Sequence, residues 1–347
     1  LTTSKPLVSV VIPHYNGEEI LRDCLTSLIR STDTPLEIIL VDNASSDNSA
    51  AMVRREFPEV QILSLDKNHG FAGGCNAGIR QASSEYVLIL NNDTIHQAGW
   101  IEAMLRQIQS SPEIAVVQPK LLSYQNRHLF DYSGAAGGEM DMFGFPFARG
   151  RMFETIESDD GQYDSGSNRI FWASGTAFLS RRQALIDAGL FDETFFAHME
   201  EIDLEWRLQL MGYTIVVEPK AVVWHRSGYT LGVDSPFKKY LNHRNSLLMF
   251  LSNYRLPLTL YLTPLRIALD DMALVFSLIK GDLGRAWAIL KAHGWILAHP
   301  GAIYRKRKTV ASIRRKSDGE VLSGLYHGSS ALGYYLLGKK TCASLKR

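Results

Sequence analysis

Residues 7–16 read LVSVVIPHYN and residues 36–45 read LEIILVDNAS. Each is a short run of β-branched and aliphatic residues that stops at polar side chains. Three more runs of the same kind follow, VQILSL at 60–65, EYVLILN at 85–91 and IAVVQP at 114–119, with helical patterns between them. The alternation predicts βαβ units. The runs are apolar at nearly every position rather than at every second one, so both faces of each strand must be covered. That predicts a Rossmann-like α/β fold, a mainly parallel sheet flanked by helices. In such open sheets, ligands bind beyond the carboxyl ends of the strands. Those ends are polar here: Pro13-His14-Tyr15-Asn16, Asp42-Asn43-Ala44-Ser45, Asp66-Lys67-Asn68-His69-Gly70 and Asn91-Asn92-Asp93.

Downstream, residues 123–168 are rich in glycine, aspartate and aromatics with little periodicity, and read as long loops over a site. Order returns with FWASGTAFLSRR (171–182), a helix over 183–188, the acidic helix MEEIDLEWRLQLMG (199–212) and the strand YTIVVEPKAVVWH (213–225). Past residue 234, long helical patterns are broken at Pro257, Pro264 and Pro300. The chain therefore divides into an α/β domain, residues 1–234, and a C-terminal helical appendage, residues 235–347. The most apolar stretch of the appendage, 256–279, is interrupted by Arg266, Asp270 and Asp271. It falls short of a spanning helix, which needs about 20 apolar residues in a row. Two readings stay open: helices lying on a membrane, and stripes packed on the α/β domain or on a second subunit.

Of 347 residues, 46% are apolar, enough for a large core, and a net charge of +1 argues against a nucleic-acid binder that works by neutralising phosphates. The exception is YRKRKTVASIRRK (304–316), with seven Lys or Arg and no acid, which suits an anionic surface such as the inner face of a cell membrane. Cys24, Cys75 and Cys342 show neither a CxxC pair nor zinc-type spacing, and fit a reducing, cytoplasmic compartment. The opening apolar run is short and lacks the basic flank of a secretory signal.

The chemistry concentrates in a few places. Asp42 suits either a hydrogen bond from a nucleotide base or the cap of the next helix. Asp93 can be the carboxylate that a hard divalent cation takes when it neutralises a diphosphate leaving group, and can equally cap a helix over IHQAGWIEAML. GFAGGCNAG (70–78) lacks the spacing of a dinucleotide fingerprint and follows the third strand rather than the first. Its small residues let a helix start approach a ligand, with Asn76 as a polar contact, or simply let the helix pack tightly. Glu200, Glu201, Asp203 and Glu205 stand close together, and the helical period puts Glu201 and Glu205 on one face, Glu200 and Asp203 on another. Flanking Phe195, Phe196, Met199, Leu204, Trp206 and Leu208 imply a buried helix, where unpaired carboxylates are costly and mark function; a solvated acidic face is the plain alternative. His225 ends a strand on the same side and suits a second metal ligand or a structural role.

Seven motifs occur in order: VVIPHYNGEEILRDCLTSL, IILVDNASSDNS, NHGFAGGCNAGI, YVLILNND, WASGTAFLSRR, GLFDETFFAHMEEIDLEWRLQLMGY and AVVWHRSG. Together they resemble family-2 glycosyltransferases of the GT-A fold over residues 6–232, and most of all the bacterial rhamnosyltransferases of cell-surface polysaccharide assembly. The resemblance implies that Pro13, Tyr15, Asn16, Asp42 and Asn43 surround the base and ribose of a nucleotide-diphosphate sugar. Asn68, Gly70, Phe71, Gly73 and Asn76 would shape the donor pocket. Asn91-Asn92-Asp93 takes the place of the DxD motif, with Asn92 near ribose or diphosphate, and Asp93 and His225 on Mg²⁺ or Mn²⁺. Asn91 replaces the motif's first Asp and leaves fewer charges on the cation. Glu200-Glu201 corresponds to the family's Glu-Asp pair, whose second acid is the base; that implies Glu201, with Glu200 the alternative because Glu replaces Asp. Trp172, Ser174 and Gly175 match the acceptor-side segment. YLNHRNSLLMF (240–250) is similar to an Arg-Asn stretch that opens the C-terminal helices of this branch, with no role derivable from sequence.

The implied reaction is a single inverting displacement that moves L-rhamnose from dTDP-L-rhamnose to a glycan or polyprenyl-diphosphate-linked acceptor. A UDP-hexose donor is the alternative. A sugar-nucleotide-forming nucleotidyltransferase would need an N-terminal GxGxRL-type loop, which is lacking. A non-catalytic sugar-binding protein would have no use for Asp93, Glu201 and His225 together.

Overall fold

A computed structural model of the chain describes residues 6–226 and 235–345. Three readings of the sequence end outside the described residues: the last two positions of AVVWHRSG, the limit of the resemblance at 232, and the domain boundary at 234.

The chain begins β1 (Val8–His14), α1 (Glu18–Arg30), β2 (Leu36–Asp42), α2 (Ser49–Glu56), β3 (Gln61–Ser64), α3 (Gly70–Gln81), β4 (Tyr86–Leu90), β5 (Thr94–His96), α4 (Trp100–Gln109) and β6 (Ile114–Ser123). The five apolar runs are thus strands. The next segment, expected as long loops, holds a small antiparallel sheet of β7 (Gly138–Met140), β8 (Pro146–Ala148), β9 (Arg151–Met152) and β10 (Thr155–Ile156). Strands of two or three residues carry no readable alternation, so pairing alone makes them. β11 (Arg169–Ile170), β12 (Ala177–Arg181), α5 (Arg182–Asp187), α6 (Glu200–Met211) and β13 (Thr214–His225) complete the α/β part. α7 (Pro236–Asn253), α8 (Leu256–Ile279), α9 (Leu283–Ala298), α10 (Pro300–Ile313), α11 (Asp318–Leu322), α12 (Ser330–Tyr335) and α13 (Cys342–Leu345) form the C-terminal helical region.

Among the described residues the main sheet runs β11-β13-β6-β12-β4-β1-β2-β3, with β5 paired to β13. β1 is parallel to β2 and β4, β2 to β3, and β6 to β13. β12 enters between β4 and β6, antiparallel to both, so the sheet is mixed and mainly parallel. The continuous apolar runs follow from burial on both faces. Val8, Val10 and Ile12 pack with Leu21 and Trp100 on one side, while Val11, Ile39 and Val41 meet Ala72, Cys75 and Ile79 of α3 on the other. α3 lies so close that a Cβ on Gly78 would collide with Val11 and Val41, which is the tight-packing reading of its small residues. Cys24, Cys75 and Cys342 are buried and make no disulfide among the described residues.

The helical region shares a core with the α/β part. Ile202, Trp206 and Leu210 of α6 cluster with Phe250, Leu262, Ile296 and Val310 from α7 to α10. Those helices therefore close over the acidic helix.

Candidate active site

β5 pairs antiparallel with β13, setting Thr94 opposite His225. That register delivers Asp93 to His225 from far along the chain: Asp93 Oδ1 lies 3.1 Å from His225 Nε2, and Asp131 Oδ1 lies 2.9 Å from Nδ1. All three are buried. Ser133 Oγ donates to Asp131 and stands 3.3 Å from the same ring nitrogen. Burial alone would lower the pKa of His225, but the two carboxylates outweigh it and push the imidazole up to about 10. The corner thus collects negative charge. Asp93 is no helix cap, because β5 intervenes and α4 starts at Trp100 after Gly99.

Two ligands ~2.1 Å from one ion and at right angles stand ~3.0 Å apart, which the Asp93–His225 spacing matches. Asp93 Oδ1 and His225 Nε2 are both buried and face each other, so an ion seated between them would meet both. A carboxylate on the far nitrogen, as Asp131 supplies, is the usual support of a ligating imidazole. These residues fit a divalent cation. Among the described residues no third His, Cys, Asp or Glu joins them around one point, so donor oxygens and water would complete the shell. Asp131 and Ser133 escaped the sequence reading because they lie in the stretch without periodicity.

The other strand ends interlock. Asn92 Nδ2 donates to His14 Nδ1 at 2.7 Å, tying β4 to β1 and leaving His14 Nε2 buried without a partner. Burial lowers the His14 pKa, against the pull of Asp47 and Asp42. Asn16 Oδ1 accepts the Ser46 amide at 2.8 Å, and Asp42 Oδ1 accepts that of Ser45 at 2.9 Å, so one oxygen of Asp42 shapes its own turn. Pro13 is buried against Gly74, and Tyr15 is exposed beside it.

Asn43 bridges to the third strand end: its Nδ2 donates to the Gly70 carbonyl and its Oδ1 accepts the His69 amide, both at 2.9 Å. Asn68 Oδ1 accepts the Gly70 amide at 2.8 Å. Gly70 has φ 72°, and a Cβ there would strike Phe196. Gly73 abuts His69. Asn76, expected as a polar contact for the donor, spends its amide on the protein, donating to the Phe191 carbonyl and Glu193 at 2.9 Å each and accepting the Phe191 amide at 3.0 Å.

The approach to α6 is strained, with Phe196, His198 and Met199 at φ 64°, 67° and 72°. Such backbone costs non-glycine residues on the order of 1–3 kcal/mol each and persists only when held. α7 holds it. Asn245 Nδ2 lies 3.0, 2.9 and 2.7 Å from the carbonyls of Phe195, Ala197 and His198, and Arg244 Nη2 reaches those of Thr194 and Phe195 at 2.7 and 3.1 Å. The Arg-Asn stretch therefore clamps the loop that aims the first turn of α6.

The acids of α6 separate. Asp203 is fully paired, with Arg207 Nε at 3.1 Å, Lys306 Nζ at 2.6 Å and Asn253 Nδ2 at 2.8 Å. Lys306 belongs to the basic run expected at an anionic surface, yet it is buried here. Arg307 and Arg314 also turn inward, to the Leu251 carbonyl and to Asp318. Glu205, fully buried, accepts the Ala173 amide at 2.5 Å. Burial pushes Glu200 and Glu205 well above the usual carboxylate range. It raises half-buried Glu201 to about 7, against the backbone amides of Gly175, Ile202 and Met199.

The segment 172–176 joins the two ends of the site. A Cβ on Gly175 would lie 3.0 Å from Phe71 Cζ and 3.9 Å from Glu201 Cδ. Next to it, Thr176 Oγ1 donates to Ser133 at 2.9 Å and the Thr176 carbonyl accepts the Asn91 amide at 2.8 Å. Trp172 and Ser174 are core. The Trp172 indole donates to the Glu139 carbonyl at 2.8 Å beneath Gly138, and the Ser174 amide donates to Gln118 at 2.7 Å, so both support the segment.

Residues 9–187 match the family described as Glycosyl transferase family 2. The chain is 27% identical over 269 residues to the N-acetylglucosaminyl-diphospho-decaprenol L-rhamnosyltransferase of Mycobacterium tuberculosis, covering 73% of this chain and 85% of that protein. It is 27% identical over 227 residues to the poly-beta-1,6-N-acetyl-D-glucosamine synthase of Staphylococcus epidermidis, covering 65% of this chain and only 51% of that one. Among solved structures, the mannosyltransferase PcManGT from Pyrobaculum calidifontis in complex with GDP-Man and Mn²⁺ aligns with a TM-score of 0.53 at 17% identity, over 90% of this chain and 86% of that one. GalNAc-T7 with UDP, GalNAc and Mn²⁺ aligns with a TM-score of 0.55 at 16% identity, over 71% of this chain and 47% of that one. At these identities the structures share the GT-A fold.

Proposed function

The chain belongs to glycosyl transferase family 2, and from that premise we propose that it moves L-rhamnose from dTDP-L-rhamnose, with inversion, to a polyprenyl-diphosphate-linked glycan. The observation that carries this reading is the segment 174–176, which touches Glu201 on one side and the Asp131–Ser133–His225 network on the other. A reacting carbon beside that segment would have a base and a charge-stabilising corner within reach, as a one-step displacement requires. The donor and acceptor rest on the mycobacterial relative, whose name specifies an L-rhamnosyltransferase and a decaprenol-linked substrate. A UDP-hexose donor is the second reading, favoured by the likeness to the N-acetyl-D-glucosamine polymer synthase.

Held by Asp93 and His225, a divalent cation would supply the positive charge that stabilises a departing diphosphate. The remaining work falls to the chain itself. Asp131 and Ser133 occupy His225 Nδ1 and leave Nε2 facing Asp93. The loops after β1, β2 and β3, locked together by Asn16 and Asn43, would receive the nucleotide. Glu201 accepts the proton of the acceptor hydroxyl. A carboxyl raised to about 7 is a stronger base than an ordinary one and still ionises substantially at neutral pH. Burial and the neighbouring Glu201 carboxylate hold Glu200, the more deeply buried of the two, well above the usual carboxylate range, and no covalent sugar intermediate is needed.

Incubation with dTDP-L-rhamnose, UDP-glucose, UDP-N-acetylglucosamine and GDP-mannose, each with Mg²⁺ or Mn²⁺, should release nucleoside diphosphate from dTDP-L-rhamnose alone. Release from a UDP-hexose alone would replace the donor and leave the reaction. Full activity in excess EDTA would remove the cation.

A further inference from the structure

Helix α8 is built inside out. Over its 24 residues the inward side chains are Thr259, Arg266, Asp270 and Ser277 with Leu262. The outward ones are apolar: Leu260 is 64% exposed, Tyr261 73% and Ile279 76%, with Leu265 and Val275 beside them. The orientation is locked. Arg266 pairs with Asp270 at 3.1 Å, donates to the Phe143 carbonyl at 2.6 Å and to Ser246 at 3.0 Å, and lies 4.0 Å above the Phe145 ring. Turning the helix to hide its leucines would strand that guanidinium. α9, packed against α8, presents Leu283, Trp287, Leu290 and Leu297, a spacing of four, three and seven that keeps them on one side.

We propose that the outward faces of α8 and α9 lie in the interface of an anionic lipid bilayer. The apolar face follows a helix ~36 Å long, beyond the isolated patches that monomeric soluble proteins expose. At the hairpin turn Val275, Phe276, Leu278 and Ile279 are all exposed, an arc that a flat partner surface touches on one side only and that lipid surrounds. Lys280 at that turn, Lys291 on α9, and Arg305 and Lys308 on α10 are exposed, while Asp271 is the exposed acid of α8. This charge suits anionic headgroups. Exposed Tyr261, Trp287 and Tyr304 are the residue types that settle at a bilayer interface. Tyr240, Trp287, Leu290, Lys291, Gly294 and Trp295 line an apolar groove of about 420 Å³ that continues the face. Among the described residues no helix is long and apolar enough to cross a membrane, so the pair lies in the plane of the interface. Attachment is thus mainly apolar. The basic run contributes less than its sequence suggests because Lys306, Arg307 and Arg314 face inward. None of this depends on which sugar is transferred.

The test is flotation of the full chain with vesicles of phosphatidylcholine alone and of phosphatidylcholine with phosphatidylglycerol. Binding should favour the anionic vesicles by roughly tenfold. The double variant Ile279→Glu, Trp287→Glu should lose roughly a hundredfold in vesicle affinity, while nucleoside diphosphate release with a water-soluble acceptor is unchanged. Acyl chains brominated near the headgroup should quench tryptophan emission, and the quenching should fall in Trp287→Phe, which keeps the fold, to the part that Trp295 in the adjoining groove contributes. Two results overturn the proposal. Wild-type chain that ignores both vesicles and sediments as a dimer that the double variant splits would mean that a second copy covers the face. Quenching untouched by Trp287→Phe would mean that another surface binds.

Discussion

Helices α6 and α8 both turn charged side chains inward, and the partners found there separate their uses. On α8 the buried charges close on each other, Arg266 with Asp270, and fix which way the helix faces. On α6 only Asp203 is closed in that way. Glu200, Glu201 and Glu205 each keep a buried oxygen without a hydrogen-bond partner among the described residues, at the end of a loop held in strained backbone. A closed buried pair is an architectural device, whereas an open buried carboxylate is tolerated where chemistry uses it. Outside, the contrast reverses: α6 is covered on nearly every side, and α8 leaves an apolar face uncovered.

The comparison breaks first at Glu201. Glu201→Gln keeps the shape and removes the proposed proton acceptor, so turnover should fall by roughly 10²- to 10⁴-fold with nucleotide binding retained. Wild-type activity should fall as pH drops through about 7, because the base works only when ionised, and the residual activity of the variant should lack that limb. The sign for stability is opposite. Unfolded, this carboxyl titrates near ~4.3, and folded it binds its proton more tightly, so its stabilising contribution is complete below the unfolded value and disappears as pH rises through about 7. Above neutral pH, Glu201→Gln should unfold at higher denaturant than wild type. If Glu201→Gln transfers normally and Glu200→Gln is dead, the base is the first acid of the pair.

Next comes Arg266→Met, which leaves Asp270 as a buried charge without its guanidinium. Denaturant unfolding should show a loss of ~3–5 kcal/mol. A loss no greater than at an exposed site would mean that the pair does not orient α8. The smallest effect belongs to the outward face: Leu260→Gln should change stability in solution by no more than ~0.5 kcal/mol, because that side chain already meets water. A large loss there would mean that the face is covered in the folded chain.

Much of this was legible from residue order. LEIILVD coincides with β2, and the other strand runs differ from their strands by a few residues at the ends. Burial on both faces of a strand leaves an unbroken apolar run, which is a local signal. The same holds for the α6 acids, whose helical phase groups Glu201 with Glu205, both turned toward residues 173–175. Other features were beyond such reading. β7 to β10 are too short to carry a period, and Asp131 becomes part of the site only because β13 brings His225 to it.

By itself, then, the sequence determined the α/β class and the polar strand ends, and raised Asp93, His225 and the acids of α6 as candidates, because periodicity and chain breaks are written within a few residues of one another. The family resemblance singled out Glu201 among those acids. Tertiary structure alone decided which of those residues have partners. It seated Lys306 on Asp203, set Asn245 over the carbonyls before α6, gave the Asn76 amide to Phe191, and turned Arg266 inward so that the leucines of α8 face out. The cost of burying a charge or a polar group depends on what lies across the gap, and residues that meet there are fixed by how the whole chain closes, not by their neighbours in sequence.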